Sequence, residues 1–221
     1  VTSETFDTAD PNQLLEGMRK ARMAIGQGRM VVIPTDTGYA VVADAFKASA
    51  VQGLREVRQM PAGAPLGVFL PGIPTLRALA EDPPELVTRL AGEFWPGALT
   101  LIVPAGESLA WDLGETKGTV ALRMPSHRIA LELLSETGPL VASQAAPVGT
   151  KPPATIAKVQ ELLGDGVAVY VGDDATVGRE GLSTVIDAST VDKPQGRLRL
   201  VREGVISRGD IFEVVPEEHF A

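Results

Sequence analysis

Arg29-Met-Val-Val-Ile-Pro-Thr-Asp-Thr-Gly-Tyr39-Ala-Val-Val42 is an apolar run that meets Pro34 and passes directly into three hydroxyls, Thr35, Thr37 and Tyr39, spaced around Asp36. β-Branched residues following Gly28 suit a buried strand, and Pro34, which has no amide hydrogen, tends to end one. The stretch predicts a core strand that delivers Thr35, Asp36, Thr37 and Tyr39 to one edge of a sheet. In open α/β sheets, binding and chemistry gather at such strand ends.

Working outward, Asp10-Pro11 reads as a helix cap with proline at the first helical position. Leu14, Leu15, Met18, Ala21, Ala24 and Ile25 then recur at helical spacing up to Gly26. Gly26-Gln-Gly28 lacks the third glycine of a dinucleotide fingerprint and reads as the end of that helix. Downstream, Val41 to Phe46 continues extended, Ala48, Val51, Leu54 and Val57 predict a helix ending near Arg58, and Leu66 to Leu70 predicts a strand. Two short helices around Pro83-Pro84 lead to Phe94-Trp-Pro-Gly97, a turn from helix into the strand ending at Val103, with Phe94 and Trp95 in the core.

Gly118-Thr119-Val-Ala-Leu-Arg123-Met-Pro125 repeats the opening pattern, an apolar strand that stops at proline, now carrying an arginine near its end. Arg123 is therefore expected to share a groove with Thr35; on the residue alone an arginine at a strand end reads as exposed, though its planar fork is able to hold a carboxylate or phosphate with two hydrogen bonds. Ser126 is read as the cap of the next helix, with Ile129, Leu131, Leu133 and Leu134 on its face. Further on, Thr155 to Leu163 predicts a helix, Val167 to Val171 a strand, Gly172 to Gly181 an exposed acidic loop, and Leu182 to Asp187 a strand; the acidic residues after Phe212 read as peripheral.

The 221 residues carry 44% hydrophobic and 22% charged side chains, the balance of a soluble globular chain, and no apolar run reaches the ~18 residues of a membrane span. No cysteine is present, which removes disulfides and thiolate chemistry and suits a reducing cytoplasm. No signal-peptide pattern follows Val1. A net charge of -8 argues against indiscriminate nucleic-acid binding. No Walker A motif, metal-ligand cluster or repeat is visible. A hydrolase triad of Ser143, His127 and Asp36 is disfavoured, since Gln144 follows Ser143 and no Gly-x-Ser-x-Gly elbow exists. Alternating strands and helices predict an α/β arrangement on one sheet.

Pro34-Thr-Asp-Thr37, followed by Gly38, Tyr39 and Ala40, resembles the Pro-Thr-Asp-Thr-Val-Tyr-Gly signature of the YrdC-like family, whose enzymes make threonylcarbamoyl-AMP for modifying transfer RNA. The resemblance continues in order along the chain. Arg58-Gln-Met60-Pro-Ala-Gly-Ala64-Pro-Leu66 falls on the family's Lys-x-Arg-Pro-x-x-Lys-Pro-Leu segment, where Arg58 keeps one of three triphosphate-binding cations and Met60 and Ala64 replace two. Trp95-Pro-Gly-Ala98, Val120-Ala-Leu-Arg123, Ser183-Thr-Val-Ile-Asp187 and the closing Leu200-Val-Arg202-Glu-Gly-Val-Ile206 match further elements. In the family's Thr-Ser-Ala-Asn-x-Ser-Gly loop, Ser143 and Gly149 stand for conserved-type positions, whereas Gln144 and Ala146 replace a Ser and the Asn, and Val148 a later Ser.

The resemblance implies one YrdC-like domain over 1–221 with its core at about 12–207, built as an open twisted mixed β-sheet with helices on both faces and a concave groove. The implied activity is that of a nucleotidyltransferase, an L-threonylcarbamoyladenylate synthase. Threonine, bicarbonate and ATP with magnesium react so that a threonine carbamate attacks the α-phosphate and pyrophosphate leaves. No covalent nucleophile is needed, and positioning and charge neutralisation carry such chemistry. Thr35, Thr37, Tyr39, Thr119, Arg123 and Ser143 are the implied substrate-binding residues, and Arg58, Ser183 and Arg202 the nucleotide-binding ones. Three readings stay open: an active synthase with a reworked nucleotide loop, a non-catalytic relative that binds nucleotide or double-stranded RNA weakly in the same groove, and an enzyme for another carboxylate or carbamoyl substrate. Met60, Ala64, Gln144 and Ala146 favour the last two; the intact Pro-Thr-Asp-Thr and Arg123 favour a retained acid site.

Overall fold

The computed structural model describes residues 3–106, 111–178 and 181–221. Helix α1 (Pro11–Gly26) starts at Asp10, whose carboxylate accepts the Asn12 amide, with Pro11 occupying a position that needs no donor. Strands β2 (Val31–Thr35) and β3 (Gly38–Asp44) form a hairpin in which Asp36 and Thr37 are the two turn residues. Pro34 does not end its strand. It pairs with Tyr39, whose carbonyl points outward to the Ala145 amide, so the backbone groups of this pair face away from the hairpin ladder. On the other side, pairing of β2 with β8 (Val169–Gly172) has already stopped at Val32, and a missing amide hydrogen costs nothing there.

The remaining strands are β1 (Glu4–Asp7), β4 (Gly67–Phe69), β5 (Leu99–Pro104), β6 (Thr119–Arg123), β7 (Leu140–Gln144), β9 (Thr184–Asp187) and β10 (Arg199–Arg202). All ten join one mixed sheet in the order β1-β8-β2-β3-β7-β4-β6-β5-β9-β10. Successive side chains leave a strand on opposite faces. Val32, Tyr39, Val41 and Ala43 enter the larger core with α2 (Ala48–Val57), α3 (Ile73–Leu79), α4 (Glu85–Phe94), α6 (Ile156–Leu163) and α7 (Arg208–Val214). Val31, Ile33, Ala40 and Val42 enter a second core with α1 and α5 (Arg128–Thr137). Helices therefore lie on both faces, as expected.

Several expectations are corrected. Leu15 is exposed rather than on the packed stripe of α1. His127, not Ser126, caps α5, its Nδ1 accepting the Ile129 amide, and Ala130 takes the buried place expected of Leu131. The 172–178 loop is not simply exposed: Val177 is buried and the Gly178 amide donates to the Thr35 carbonyl. Arg179 and Glu180 of that loop lie outside the described residues. Segments beyond 12–207 also join the fold, since β1 pairs with β8, and Ile211, Val215 and Phe220 are buried in the larger core.

Candidate functional site

On the α1/α5 face the two helices cover β1, β8, β2 and β3 and leave the rest of the sheet open. Ala40, Gly67, Ala121 and Ala142 from β3, β4, β6 and β7 face this side and line a groove of about 400 Å³. Register aligns them: Gly67 lies opposite Ala142, and Val68 opposite Leu122 puts Gly67 beside Ala121. Small residues at alternate positions of four adjacent strands make the concavity. Around that floor stand Thr35, Thr37, Tyr39, Arg58, Phe69, Thr100, Arg123, Ser143, Gln144, Ser183 and Arg202.

Arg123, at the end of β6, is the most constrained. Its Nε donates to the Gly97 carbonyl at 3.0 Å, Nη1 to Thr37 Oγ1 at 2.7 Å and Nη2 to Asp36 Oδ2 at 2.7 Å. The Phe69 ring lies 5.7 Å beneath the guanidinium carbon. Asp36 Oδ1 in turn accepts the Ser126 amide at 3.1 Å. Burial pulls the guanidinium below the usual arginine value, Asp36 pulls the other way, and neighbouring Arg202 adds to the depression. Thr35 and Arg123, 88 residues apart by number, thus line one groove as expected, although β2 continues through Pro34 rather than stopping there.

Thr35 Oγ1 donates to the Gly38 carbonyl at 2.6 Å and accepts the Thr37 amide at 3.1 Å, which clasps the hairpin turn. Tyr39 borders the groove, and its hydroxyl donates to Asp174 Oδ1 at 3.0 Å. That same carboxylate oxygen accepts the Ile156 amide at the start of α6. Close packing fixes the neighbouring loop: a Cβ on Gly178 would lie 1.8 Å from the Asp36 carbonyl oxygen, and one on Gly172 2.7 Å from the Tyr39 ring.

Arg58, just past α2, turns into the groove and is nearly buried. Its Nε donates to the Ala146 carbonyl at 2.8 Å and its Nη1 to Ser143 Oγ. On the facing wall, Arg202 Nε donates to the Ser183 carbonyl at 3.0 Å and Nη2 to Ser183 Oγ at 3.1 Å, while that hydroxyl also pairs with Thr100 Oγ1 at 2.9 Å. Burial lowers both arginines from their usual value. Neither has a carboxylate partner among the described residues.

Thr119 is the predicted site residue the groove does not include. It opens β6 opposite Pro104, and its hydroxyl donates to the Thr116 carbonyl at 2.7 Å. It lies four residue steps along the strand from Arg123, about 13 Å at the usual rise. Ser143, His127 and Asp36 form no triad, since Ser143 pairs with Arg58 and His127 Nε2 with Thr176 Oγ1. Sequence reasoning placed Asp36 at the sheet edge without a binding role and did not name Phe69, Thr100 or the small-residue floor; the lone small residues Gly67, Ala121 and Ala142 in otherwise apolar strands were the available signal. Ala146 is fully buried and offers only its carbonyl, and Met60 packs against the core with its sulfur beside Arg58. The loop carrying Met60 and Ala64 is anchored by Arg55, a buried arginine that donates to the Ala64 and Asp112 carbonyls and does not line the groove. Among the described residues no three His, Cys, Asp or Glu side chains are placed to hold a metal, and no helix is long and apolar enough to cross a membrane.

The Sua5/YciO/YrdC family model, described as telomere recombination, matches residues 23–204. The chain belongs to this family. A Mycobacterium tuberculosis relative, provisionally named threonylcarbamoyl-AMP synthase, is 41% identical over 213 residues, covering 96% of this chain and 95% of its own. The threonylcarbamoyl-AMP synthase of Pyrococcus abyssi is 35% identical over 173 residues, 76% of this chain and 50% of that protein. Among solved structures, P. abyssi Sua5 complexed with L-threonine superposes with a TM-score of 0.85 at 29% identity, covering 100% of this chain. The chain spans 63% of that Sua5 chain. Escherichia coli YciO, at 24% identity and a TM-score of 0.75 over 92% of this chain and 95% of its own, shares the Sua5/YciO/YrdC fold.

Proposed function

We propose that this protein is a threonylcarbamoyl-AMP synthase, acting on threonine, bicarbonate and ATP. One observation carries the reading: Arg58, Arg123 and Arg202, from three separate parts of the chain, converge on one groove beside the Thr35–Tyr39 hairpin. The names of the relatives at 41% and 35% identity support it.

In this reading the threonine carboxylate pairs with Arg123, in a corner shaped by Thr35, Thr37 and Tyr39. ATP lies toward Arg58, Ser143, Ser183 and Arg202. An oxygen of the threonine carbamate attacks the α-phosphorus, the bond from that phosphorus to the bridging oxygen breaks, and pyrophosphate carries the electron pair away. Arg58 and Arg202 offset the charge that develops on the phosphates, and no protein nucleophile takes part. Magnesium enters with ATP as part of the substrate, held by the phosphates. Thr119 has no place in this arrangement. With Met60 and Ala64 standing where the family places cations, the rate is expected to be lower than that of a relative carrying all three, by about tenfold or more. RNA contact is expected to be weak and salt-sensitive on a chain of net charge -8, and the location cytoplasmic.

The test is pyrophosphate release from magnesium-ATP, with threonine and bicarbonate each omitted in turn. Release that needs both supports the assignment. No release, or release indifferent to threonine, overturns it.

A further inference from the structure

The three groove arginines are not equivalent in charge. Among the described residues, Arg58 and Arg202 donate only to carbonyls, hydroxyls and a thioether, so each presents an uncompensated positive charge to the groove. Of the three, among the described residues, Arg123 alone is ion-paired, at 2.7 Å to a carboxylate whose side chain is 18% exposed. Asp36 does not line the groove. It faces a rear cavity with Thr8, His127, Asp173 and Thr176, and reaches the groove only through Arg123.

We propose that Asp36 is the positioning residue that decides which anion Arg123 accepts: by neutralising the guanidinium and fixing its fork, it reserves this corner for the single carboxylate of an amino acid and leaves polyphosphate to Arg58 and Arg202. The inference rests on the threonine-binding reading above. A guanidinium has five N–H donors, and three of those on Arg123 are held by Gly97, Thr37 and Asp36, leaving two for a ligand in an orientation set from outside the groove. A neutral pair with a preset fork still forms two directed hydrogen bonds with a monoanion. It offers a pyrophosphate group no net charge, whereas Arg58 and Arg202 do. Asp36 is itself held by the Ser126 amide and by its place in the two-residue turn, so the fork cannot swing without opening the hairpin.

The sign of one measurement separates this role from a structural one. Titration calorimetry with L-threonine, and separately with inorganic pyrophosphate, is performed on the full chain, Asp36→Asn and Asp36→Glu, with thermal melts alongside. Asp36→Asn unmasks the Arg123 charge and loosens the fork. Threonine affinity is expected to fall by about tenfold or more while pyrophosphate affinity rises about threefold. Asp36→Glu keeps the charge and displaces the fork, so threonine affinity falls and pyrophosphate affinity stays within about twofold. Equal losses for both ligands in either variant, or unchanged threonine affinity, overturn the assignment. If Asp36→Asn shows no cooperative melt, the Asp36→Glu pair of affinities decides alone. An unaltered chain that binds no threonine overturns the functional reading and this one together, whereas threonine binding that Asp36 variants leave untouched overturns only this one.

Discussion

The two ends of the groove are built on different principles. At the Arg123 end the side chains interlock: three of the guanidinium's donors are held by Gly97, Thr37 and Asp36, the turn is clasped by Thr35, and the turn's far side is sealed by Gly178. At the Arg58 end the guanidinium rests on a carbonyl, a hydroxyl and a sulfur, and Gln144 stands free of the interlocking seen opposite. A cross-linked corner resists change in its residue types, because each one is an anchor for another. A loosely held wall can exchange side chains as long as its backbone carbonyls stay in place, and it is on this wall that the sequence departs from the family's pattern.

Breaking the tight end should have the largest effect. Arg123→Ala leaves Asp36 with an uncompensated charge and removes the fork, so threonine-dependent pyrophosphate release should fall about a thousandfold, with a stability loss of roughly 3 kcal/mol by urea unfolding. A loss below tenfold would show that the two ends do not differ in kind. Filling the floor between them comes next. Ala142→Leu places three more carbons in the groove from a position that is 7% exposed, and affinity for both threonine and ATP should drop at least about tenfold by calorimetry while the melting temperature stays near that of the parent. A change confined to one ligand would place the other elsewhere.

The loose wall should respond selectively. Gln144→Ala removes one donor and acceptor, so KM for ATP should rise about tenfold with threonine affinity unchanged. An effect on threonine instead would merge the two ends into one site. The smallest effect concerns His127, behind the tight corner. Burial lowers its pKa from the ordinary 6.5, against the attraction of Asp173 and Asp36 and with a small contribution from Arg128. The unfolded chain then binds the proton more readily, so this stability is present above pH 6.5 and is lost as pH falls below it. Melts from pH 7.5 to 5 should show a decline that His127→Asn, which can still cap α5, flattens.

Much of the tight end could be read directly from residues. Two apolar strands with a proline near their ends pointed to Thr35 and Arg123 sharing a groove, although β2 runs through Pro34 into a hairpin turn that the residues alone were not read as forming. Thr119 was misplaced because a strand pattern shows which face a residue takes, not which end of the strand the ligand meets. Strand β1 escaped notice because Glu4-Thr-Phe-Asp7 is a mostly exposed edge with no apolar alternation. The burial of Phe220 was hidden by acidic neighbours, and the roles of Met60 and Ala146 depended on whether a side chain or only a carbonyl faces the groove, which residue type does not reveal.

The strand order also bears on synthesis. The hairpin that carries Thr35 lies between β8, completed at Gly172, and β7, completed at Gln144, and the opposite wall waits for β9 and Arg202. A nascent chain therefore carries an apolar hairpin whose partners β7 and β8 begin about 100 and 125 residues further on. Long-range strand pairing of this kind is slow and leaves sheet edges uncovered in the meantime. The groove is complete only once β9 and Arg202 have been made, and a ribosome stalled before residue 183 yields a chain that lacks the Ser183–Arg202 wall.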